Sequence, residues 1–370
     1  MAERGRSWLR ALGALAASTA VVLGGCGRPA GVIFDPANAA YQWPGPPDEP
    51  RVRYVGSLTS DADLKPGVSG LAALGETLFG KEDQHFFLSP IAVCSDGGSR
   101  VFVVDSNAQL VHMCDLSTRR YERWVPPKEA PPFSMPVAAA WDPAGRLLVS
   151  DSVAGRIVVF DGSGSYVGEL GSGVLSRPCG IAVDSRGGRL FVADSAAHQV
   201  VVLGLDGREV ARIGERGAGP GQFNFPTQVT LDRRGRLLVS DSLNFRVQIF
   251  SDALEPVTEF GTKGDMPGYF SQPKGLGVDS SDRLFVVDAN FEAVQVFDVA
   301  ADRPVLLMTF GREGRGPGEF WLPSGLHVDG EGKIWVADTY NRRVQVFAPI
   351  ERAEAAGVSG DTAGAEGEPR

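Results

Sequence analysis

The last third of the chain alternates between apolar and polar residues. Between residues 323 and 347 (PSGLHVDGEGKIWVADTYNRRVQVF), three short runs of β-branched and aromatic residues are separated by Gly-Glu-Gly and Thr-Tyr-Asn. Such period-two runs, bounded by Gly, Asp and Asn, predict three strands joined by hairpins. A three-stranded meander cannot bury both of its faces alone, so we expect it to be one unit of a larger assembly.

The pattern recurs along the chain. Each unit opens on a proline, with a spacing of 42 to 50 residues, at positions 90, 136, 178, 226, 273 and 323. An aspartate closes the second strand of each unit: Asp105, Asp151, Asp194, Asp241, Asp288 and Asp338. A period in this range, made of short strands without helical spacing of apolar residues, predicts an all-β, six-bladed β-propeller.

A fourth strand is predicted between successive units. The candidates are residues 121–124, 166–170, 209–213, 256–260 and 304–310. The sixth unit has no such strand after Phe347, but residues 51–58 (RVRYVGSL) supply one from the N-terminal side. We expect this strand to pair with the third strand of the last unit and to close a ring of four-stranded antiparallel blades, which removes exposed sheet edges.

The units resemble NHL repeats. The shared marks are the Pro-x-Gly-(Leu/Ile)-x-Val-Asp opening, the Gly-x-(Leu/Ile)-(Phe/Trp)-Val-(Ala/Val)-Asp middle, the Asn-x-Arg-Val-Gln-(Val/Ile)-Phe close and the GxGPGxF loops at 217–223 and 314–320. The resemblance covers residues 90–347 and is strongest in units four to six. Unit one departs from it, because Ala92 and Cys94 replace the usual opening and Leu110 replaces the arginine of the third strand.

The first 25 residues have the composition of a targeting segment. Three arginines precede an apolar run at 11–23, which is too short to span a bilayer as a permanent helix. The run ends in LGGC, which resembles a bacterial lipobox, so the resemblance implies cleavage before Cys26 and a lipid on its sulfur. Gly27 favours outer-membrane over inner-membrane delivery by the same analogy. The alternative is an ordinary signal peptide followed by an unmodified cysteine.

Three further segments lie outside the repeats. Residues 26–50 are rich in Pro and Ala and predict either a tether or a segment with Trp43 along the propeller wall. Residues 59–86 depart from the blade pattern, and 69–83 carry leucines at helical spacing, either as a helix over the rim or as a lid at the ring mouth. Residues 351–370 have almost nothing to bury and predict a disordered tail.

The charge balance argues against a nucleic-acid partner. The chain has a net charge of −9, and removal of residues 1–25 makes it more acidic. Some NHL propellers bind RNA through a basic face, but this chain lacks the positive balance that such a face needs. We expect a monomeric ring that binds the membrane through Cys26 and has a protein partner in the cell envelope.

The remaining cysteines predict free thiols. Cys94 and Cys114 fall on the first and third strands of unit one, about 9.6 Å apart, which is beyond disulfide reach. Cys179 lies two units away. We expect all three to be mostly buried.

Two repeated features predict architecture and not chemistry. The six aspartates occur in every unit, whereas an active site on a pseudo-symmetric ring needs asymmetry. In units two, four and six an arginine follows five residues later. We therefore expect ion pairs across the corner, the turn that joins the second strand to the third. The GxGPGxF loops lead into strands and not into a helix N-terminus, so we interpret them as turns with buried aromatic residues and not as phosphate cradles.

The resemblance also raises two metal sites. NHL-type amidating lyases hold zinc with three histidines, and the related lactonase group holds a central calcium with carboxylates and Asn. The four histidines here are scattered among positions 85, 112, 198 and 327, which does not favour one zinc. No cofactor is predicted, and a calcium in the channel stays an open alternative.

The candidate binding face lies on the loops between strands four and one and between strands two and three. These loops present aromatic residues and asparagines, which suit protein binding; packing between blades is their alternative role. The candidates are Phe225, Asn244, Phe245, Tyr269, Asn290, Phe291, Trp321, Tyr340 and Asn341.

The sequence therefore favours a lipid-anchored binding or scaffolding propeller of the bacterial envelope without assigned catalytic residues. The first alternative is a metal-dependent hydrolase or lyase in the channel. The second is a sensor-type domain that binds a sugar or cell-wall fragment in the same mouth.

Overall fold

Blades one to three repeat one four-stranded antiparallel meander. The computed structural model describes residues 32–65, 84–301 and 303–350, and those from Ile33 onwards belong to one compact unit. The first three blades contain β3 (Pro90–Ser95), β4 (Arg100–Asp105), β5 (Leu110–Asp115), β6 (Tyr121–Trp124), β7 (Pro136–Trp141), β8 (Leu147–Asp151), β9 (Arg156–Phe160), β10 (Tyr166–Leu170), β11 (Pro178–Asp184), β12 (Arg189–Asp194), β13 (Gln199–Gly204) and β14 (Glu209–Ile213).

Blades four and five follow the same order. They contain β15 (Pro226–Leu231), β16 (Leu237–Asp241), β17 (Arg246–Phe250), β18 (Pro256–Phe260), β19 (Pro273–Val278), β20 (Arg283–Asp288), β21 (Ala293–Asp298) and β22 (Val305–Phe310). All five fourth strands lie where the sequence predicted them. A bulge follows the opening proline of blades one to five, as between Pro226 and Gln228.

Blade six is closed by the N-terminal strand, as predicted. It consists of β25 (Leu326–Val328), β26 (Ile334–Asp338), β27 (Arg343–Pro349) and β2 (Val52–Leu58), which pairs antiparallel with β27. The fold is thus an all-β propeller of six blades with four antiparallel strands each.

Blade six also gains a fifth, edge strand. The short β1 (Gln42–Trp43) pairs with β2, and the Trp43 ring lies 6.2 Å from Phe310 and 5.8 Å from Phe347. The structure therefore confirms the placement of Trp43 on the propeller wall, because its indole covers the apolar surface between blades five and six.

The remaining regular elements are short. A parallel pair, β23 (Arg312–Glu313) and β24 (Glu319–Phe320), closes the base of one GxGPGxF loop. Three 3₁₀ turns lie at Pro36–Ala40, Asp61–Leu64 and Ser242–Asn244. Within the described ranges, no helix is long and apolar enough to cross a bilayer. The predicted targeting segment, the helix at 69–83 and the tail at 351–370 lie outside the described residues.

The core lies between the blades. The second strand of each blade is flanked by other strands and covered on both faces, which is why runs such as LLVSD of β16 are buried at every position. Phe223, Phe270 and Phe320, which end the 217–223, 264–270 and 314–320 loops, are fully buried. The predicted role of the GxGPGxF aromatic residues is therefore confirmed.

Cys94, Cys114 and Cys179 carry free thiols as predicted, and the first two are buried.

Arginines on the first hairpins join neighbouring blades. We call the side of these hairpins the lower face, and the side of the loops that precede each first strand the upper face. In blades one to four, each arginine pairs with an aspartate of its own turn and also contacts the next blade; Arg283 of blade five pairs with Asp279 of its own turn. The hydrogen bonds between blades run from Arg100 to the Gly162 carbonyl (2.5 Å), from Arg146 to the Leu205 carbonyl (3.0 Å), from Arg189 to the Asp252 carboxylate (2.6 Å) and from Arg236 to the Val299 carbonyl.

The seam between blades six and one is built differently. Lys333 occupies the arginine position and pairs with Glu331 of its own turn at 2.5 Å, and a cavity of about 270 Å³ opens beside it on the lower face. Deeper in the seam, His327 Nε2 lies 2.9 Å from Ser95 Oγ. Burial lowers the pKa of His327 from 6.5 to about 4, against the opposing charge of Asp329.

We predict that Arg236→Met lowers the free energy of unfolding by about 3 kcal/mol, because it leaves the buried Asp232 carboxylate without its cation and the Val299 carbonyl without its donor. Urea unfolding checks this. The control is Arg208→Met, whose ion pair is largely exposed and whose loss costs less than about 0.5 kcal/mol. Equal effects of the two substitutions would contradict the role of the inter-blade arginine.

We also predict that His327 makes stability depend on pH. The unfolded chain takes up a proton at this imidazole near pH 6.5, whereas the folded chain resists it to about pH 4, so the contribution is present above pH 6.5 and is lost as the pH falls towards 4. Between pH 7 and pH 4.5, wild type should lose about 1–3 kcal/mol more stability than His327→Gln. Thermal unfolding at both pH values measures the difference, and parallel curves for the two proteins would exclude this contribution.

Candidate functional site

The upper face is held together by the six aspartates that end the second strands. Each carboxylate accepts hydrogen bonds from backbone amides of the loop that enters its own blade: Leu88 and Ser89 for Asp105, Ser134 and Met135 for Asp151, Ser176 and Arg177 for Asp194, Asn224 for Asp241, Ser271 and Gln272 for Asp288, and Trp321 for Asp338. The aspartates are buried architecture, as the sequence predicted.

The predicted ion pairs of blades two, four and six are present. Arg156, Arg246 and Arg343 lie 3.2, 2.9 and 2.7 Å from their aspartates. Arg343 also donates to the carbonyls of Arg315, Gly316 and Glu319. The pair therefore fixes the GxGPGxF loop as well as the corner.

In blade one a histidine replaces this arrangement. His112 Nε2 lies 3.3 Å from Asp105 Oδ2, and His112 Nδ1 lies 2.7 Å from the Tyr121 hydroxyl. Burial opposes the ionisation of Asp105, but the hydrogen bonds from His112 and the loop amides outweigh it and lower its pKa. His112 is thus bound to Asp105 and Tyr121, at the position where Gln248 and Gln345 bind their aspartates in blades four and six.

Two of the three loop asparagines among the candidates make hydrogen bonds to their corner aspartates. Asn244 Nδ2 donates to the Gly217 carbonyl and to Asp241, both at 2.8 Å. Asn341 makes the equivalent bonds to the Gly314 carbonyl and to Asp338. Each amide thus joins the first glycine of a GxGPGxF loop to the aspartate at the end of the second strand of its blade.

The aromatic candidates of blades three to five are half-buried. Phe225 lies 4.5 Å from the His198 ring, and the Lys263 ammonium lies 5.3 Å from the Phe245 ring centre. The remaining members of this group are Tyr269 and Phe291, which are also half-buried, and Asn290, which is exposed and donates to Ser271 Oγ at 3.2 Å.

In blade six the aromatic candidates stand out from the surface. Trp321 and Tyr340 are 39% and 57% exposed, and their ring centres lie 5.5 Å apart. The Arg315 guanidinium lies 5.1 Å over the Trp321 ring. We call these three residues the blade-six platform. The sequence analysis missed Arg315. A usable signal was present, because Arg315 lies within the GRGPGEF loop that directly precedes Trp321.

The backbone under the platform is fixed. The Trp321 amide donates to Asp338 at 2.8 Å, the Tyr340 amide donates to the Trp321 carbonyl at 3.2 Å, and the Arg315 carbonyl accepts from Arg343 at 2.8 Å. Burial raises the pKa of Asp338, against these hydrogen bonds and the charge of Arg343. The loop backbone that carries the platform is therefore held by internal hydrogen bonds.

The central channel widens into a cavity of about 170 Å³ at its upper end. The first two residues after each opening proline line it, and most of them are apolar or glycine. The residue directly after the proline is Ile91, Val137, Cys179, Thr227, Lys274 and Ser324 in blades one to six. Sequence reasoning missed Lys274, which an alignment of the six units at their prolines would have exposed as the one charged residue in this column.

The donor atoms of this cavity do not fit the two metals raised by the sequence. Among the residues that the structure describes, no group of three or more His, Cys, Asp or Glu side chains converges. The described lining of the upper channel carries the Lys274 ammonium and no carboxylate, a set that suits neither Zn²⁺ nor Ca²⁺.

Comparisons with solved structures agree with this architecture. Virginiamycin B lyase from Staphylococcus aureus matches with a TM-score of 0.54 and 16% identity over 71% of this chain and 96% of that one. An auxiliary nutrient binding protein from Bacteroides thetaiotaomicron matches with a TM-score of 0.57 and 12% identity over 72% and 70% of the two chains. Hydrazine synthase from Kuenenia stuttgartiensis matches with a TM-score of 0.51 and 15% identity over 72% and 97%. At these identities the likeness concerns the fold alone.

Comparison with curated proteins found no match. The family model described as NHL repeat matches residues 175–203, 223–250 and 320–347, which lie in units three, four and six of the ring. Together with the six blades, these matches show that the chain is a six-bladed β-propeller that contains NHL repeats.

Proposed function

We propose that this chain is a binding or scaffolding protein of the bacterial cell envelope, anchored by a lipid on Cys26, which binds a protein partner through the upper face of its propeller. The observation that carries the proposal is the blade-six platform. Its two exposed aromatic rings and one stacked arginine belong to the residue types that dominate protein interfaces.

The rigidity of the platform supports the same function. A partner that binds flexible side chains and loops loses part of its affinity to their ordering. Here the loop backbone is already held by Asp338 and Arg343, so the ordering of this backbone adds little cost. The channel wall, by contrast, offers a mostly apolar lining, which supports binding better than catalysis.

The platform prediction is tested by site-specific photocrosslinking in the native host. A photoreactive amino acid at position 340 should give a discrete adduct with a partner, and Trp321→Ala should reduce its yield at least about tenfold, because a central aromatic residue contributes about 2 kcal/mol or more. The matched control is position 41 in the N-terminal segment, where Tyr41 is 48% exposed and distant in sequence from position 340.

Two outcomes would contradict this use of the upper face. One is an adduct pattern at position 340 that does not exceed that at position 41. The other is an unchanged yield with Trp321→Ala in a variant that keeps the wild-type melting temperature.

The anchor is tested separately. We predict that the wild-type protein sediments with membranes and needs detergent for release, whereas Cys26→Ser leaves the protein in the soluble fraction or uncleaved, because the lipid attachment atom is missing. Cys179→Ser is the matched control, since this thiol lies in the ring and its loss leaves the anchor intact. Membrane association of wild type without a mass shift on the Cys26 peptide would refute the lipid.

A further inference from the structure

The upper end of the channel departs from six-fold symmetry at blade five. Five of the residues directly after the opening prolines are uncharged, and the sixth is Lys274. The residue after the corner aspartate differs in the same blade, because Ala289 stands where the other blades have serine or threonine. Blade five therefore combines two departures at one place.

The serine and threonine hydroxyls of the other blades have a structural task. Thr339 Oγ1 donates to the Pro90 carbonyl at 2.8 Å, and Ser242 Oγ donates to the Pro273 carbonyl at 2.5 Å, so each joins its blade to the next one. Ala289 cannot do this. The backbone instead joins blades five and six, since the Gly275 amide donates to the Ser324 carbonyl at 3.0 Å.

The Lys274 ammonium has no hydrogen bond or ion pair within the part of the chain that the structure describes. Asp288 acts on it at longer range, but that carboxylate already accepts from the amides of Ser271 and Gln272 at 2.7 and 3.0 Å. Lys274 is half-buried, and this burial lowers the pKa of its ammonium. A half-buried cation without a partner is a costly feature unless something binds it.

The opposite wall of the cavity is apolar. In a six-bladed ring blade two faces blade five, so Val137 and Ala138 lie across the channel from Lys274. Blade one adds Ile91 and Ala92 to the same wall. A cavity of about 150 Å³ with apolar lining holds a molecule the size of benzene, and this one measures about 170 Å³.

We propose that the upper channel binds a small organic anion, with its carboxylate at Lys274 and an apolar body of about the size of a benzene ring against blades one and two. The side-chain amide of Gln228, in the lining of blade four beside Lys274, supplies a further donor for the carboxylate. This site is independent of the blade-six platform.

The test uses 4-fluorobenzoate and its neutral isostere 4-fluorobenzamide as probes, with ¹⁹F NMR titration of the full-length protein in detergent. We expect saturable binding of the benzoate with a Kd of about 10 μM to 1 mM. The benzamide should bind at least about tenfold more weakly, because it lacks the charge that Lys274 pairs with.

Three variants locate the charge. Lys274→Met should weaken benzoate binding at least about tenfold, whereas Lys274→Arg keeps the cation and should stay within about threefold of wild type. Lys128→Met, at an exposed lysine between blades one and two, removes the same net charge elsewhere and should leave binding unchanged. Melting temperatures verify that each variant is folded.

Several results would overturn the proposal. They are equal binding of benzoate and benzamide, undiminished benzoate binding by Lys274→Met, equal losses in Lys274→Met and Lys128→Met, and the lack of saturation in wild type up to about 10 mM probe, which is weaker than a specific small-molecule site requires.

Discussion

The hydrogen bonds between each corner aspartate and the loop that enters its blade are the interactions on which the upper face depends. A strand-to-strand loop of seven or more residues carries many backbone groups that need partners, and here one buried carboxylate binds one or two of them in every blade. The same carboxylate pairs with Arg156, Arg246 or Arg343 in three blades. A buried carboxylate with such partners is stable where an isolated one is not. The loops are thereby held rigidly, although they lie at the surface.

This rigidity separates architecture from recognition. Asn244 and Asn341 are polar and lie on exposed loops, but their side-chain amides already bind the corner aspartate and the neighbouring loop. These donors are therefore not available to a partner. Trp321 and Tyr340 stand on the same scaffold but leave 39% and 57% of their surface in solvent. Side chains that a fold needs are saturated by internal contacts, whereas side chains available for a partner are those left over after the scaffold is complete.

The fold was predictable from sequence to an unusual extent, because each blade repeats the same burial problem. The proline and aspartate columns marked the strand ends, and the missing fourth strand after Phe347 required a substitute, which RVRYVGSL at 51–58 supplied. The fifth strand of blade six was not predictable in this way. Gln42 and Trp43 pair over two residues, and what holds them is the contact of Trp43 with Phe310 and Phe347, which no local pattern shows. The site was less predictable for the same reason. Whether an aromatic loop residue is buried, as Phe223 is, or exposed, as Trp321 is, depends on neighbours from another blade.

The seams show how a pseudo-symmetric ring acquires distinct places. Four lower-face arginines reach from one blade to the next, but Lys333 in blade six pairs within its own turn, so the closing seam relies on β2, on the Thr339 hydroxyl and on the His327–Ser95 contact. Blade five loses its joining hydroxyl at Ala289 and carries Lys274 at the channel instead. In both blades a residue that would stabilise the ring has been replaced by one that does not. Since the other blades show that the arginine and the hydroxyl fit there, the ring architecture itself does not require the departures at Lys333 and Ala289.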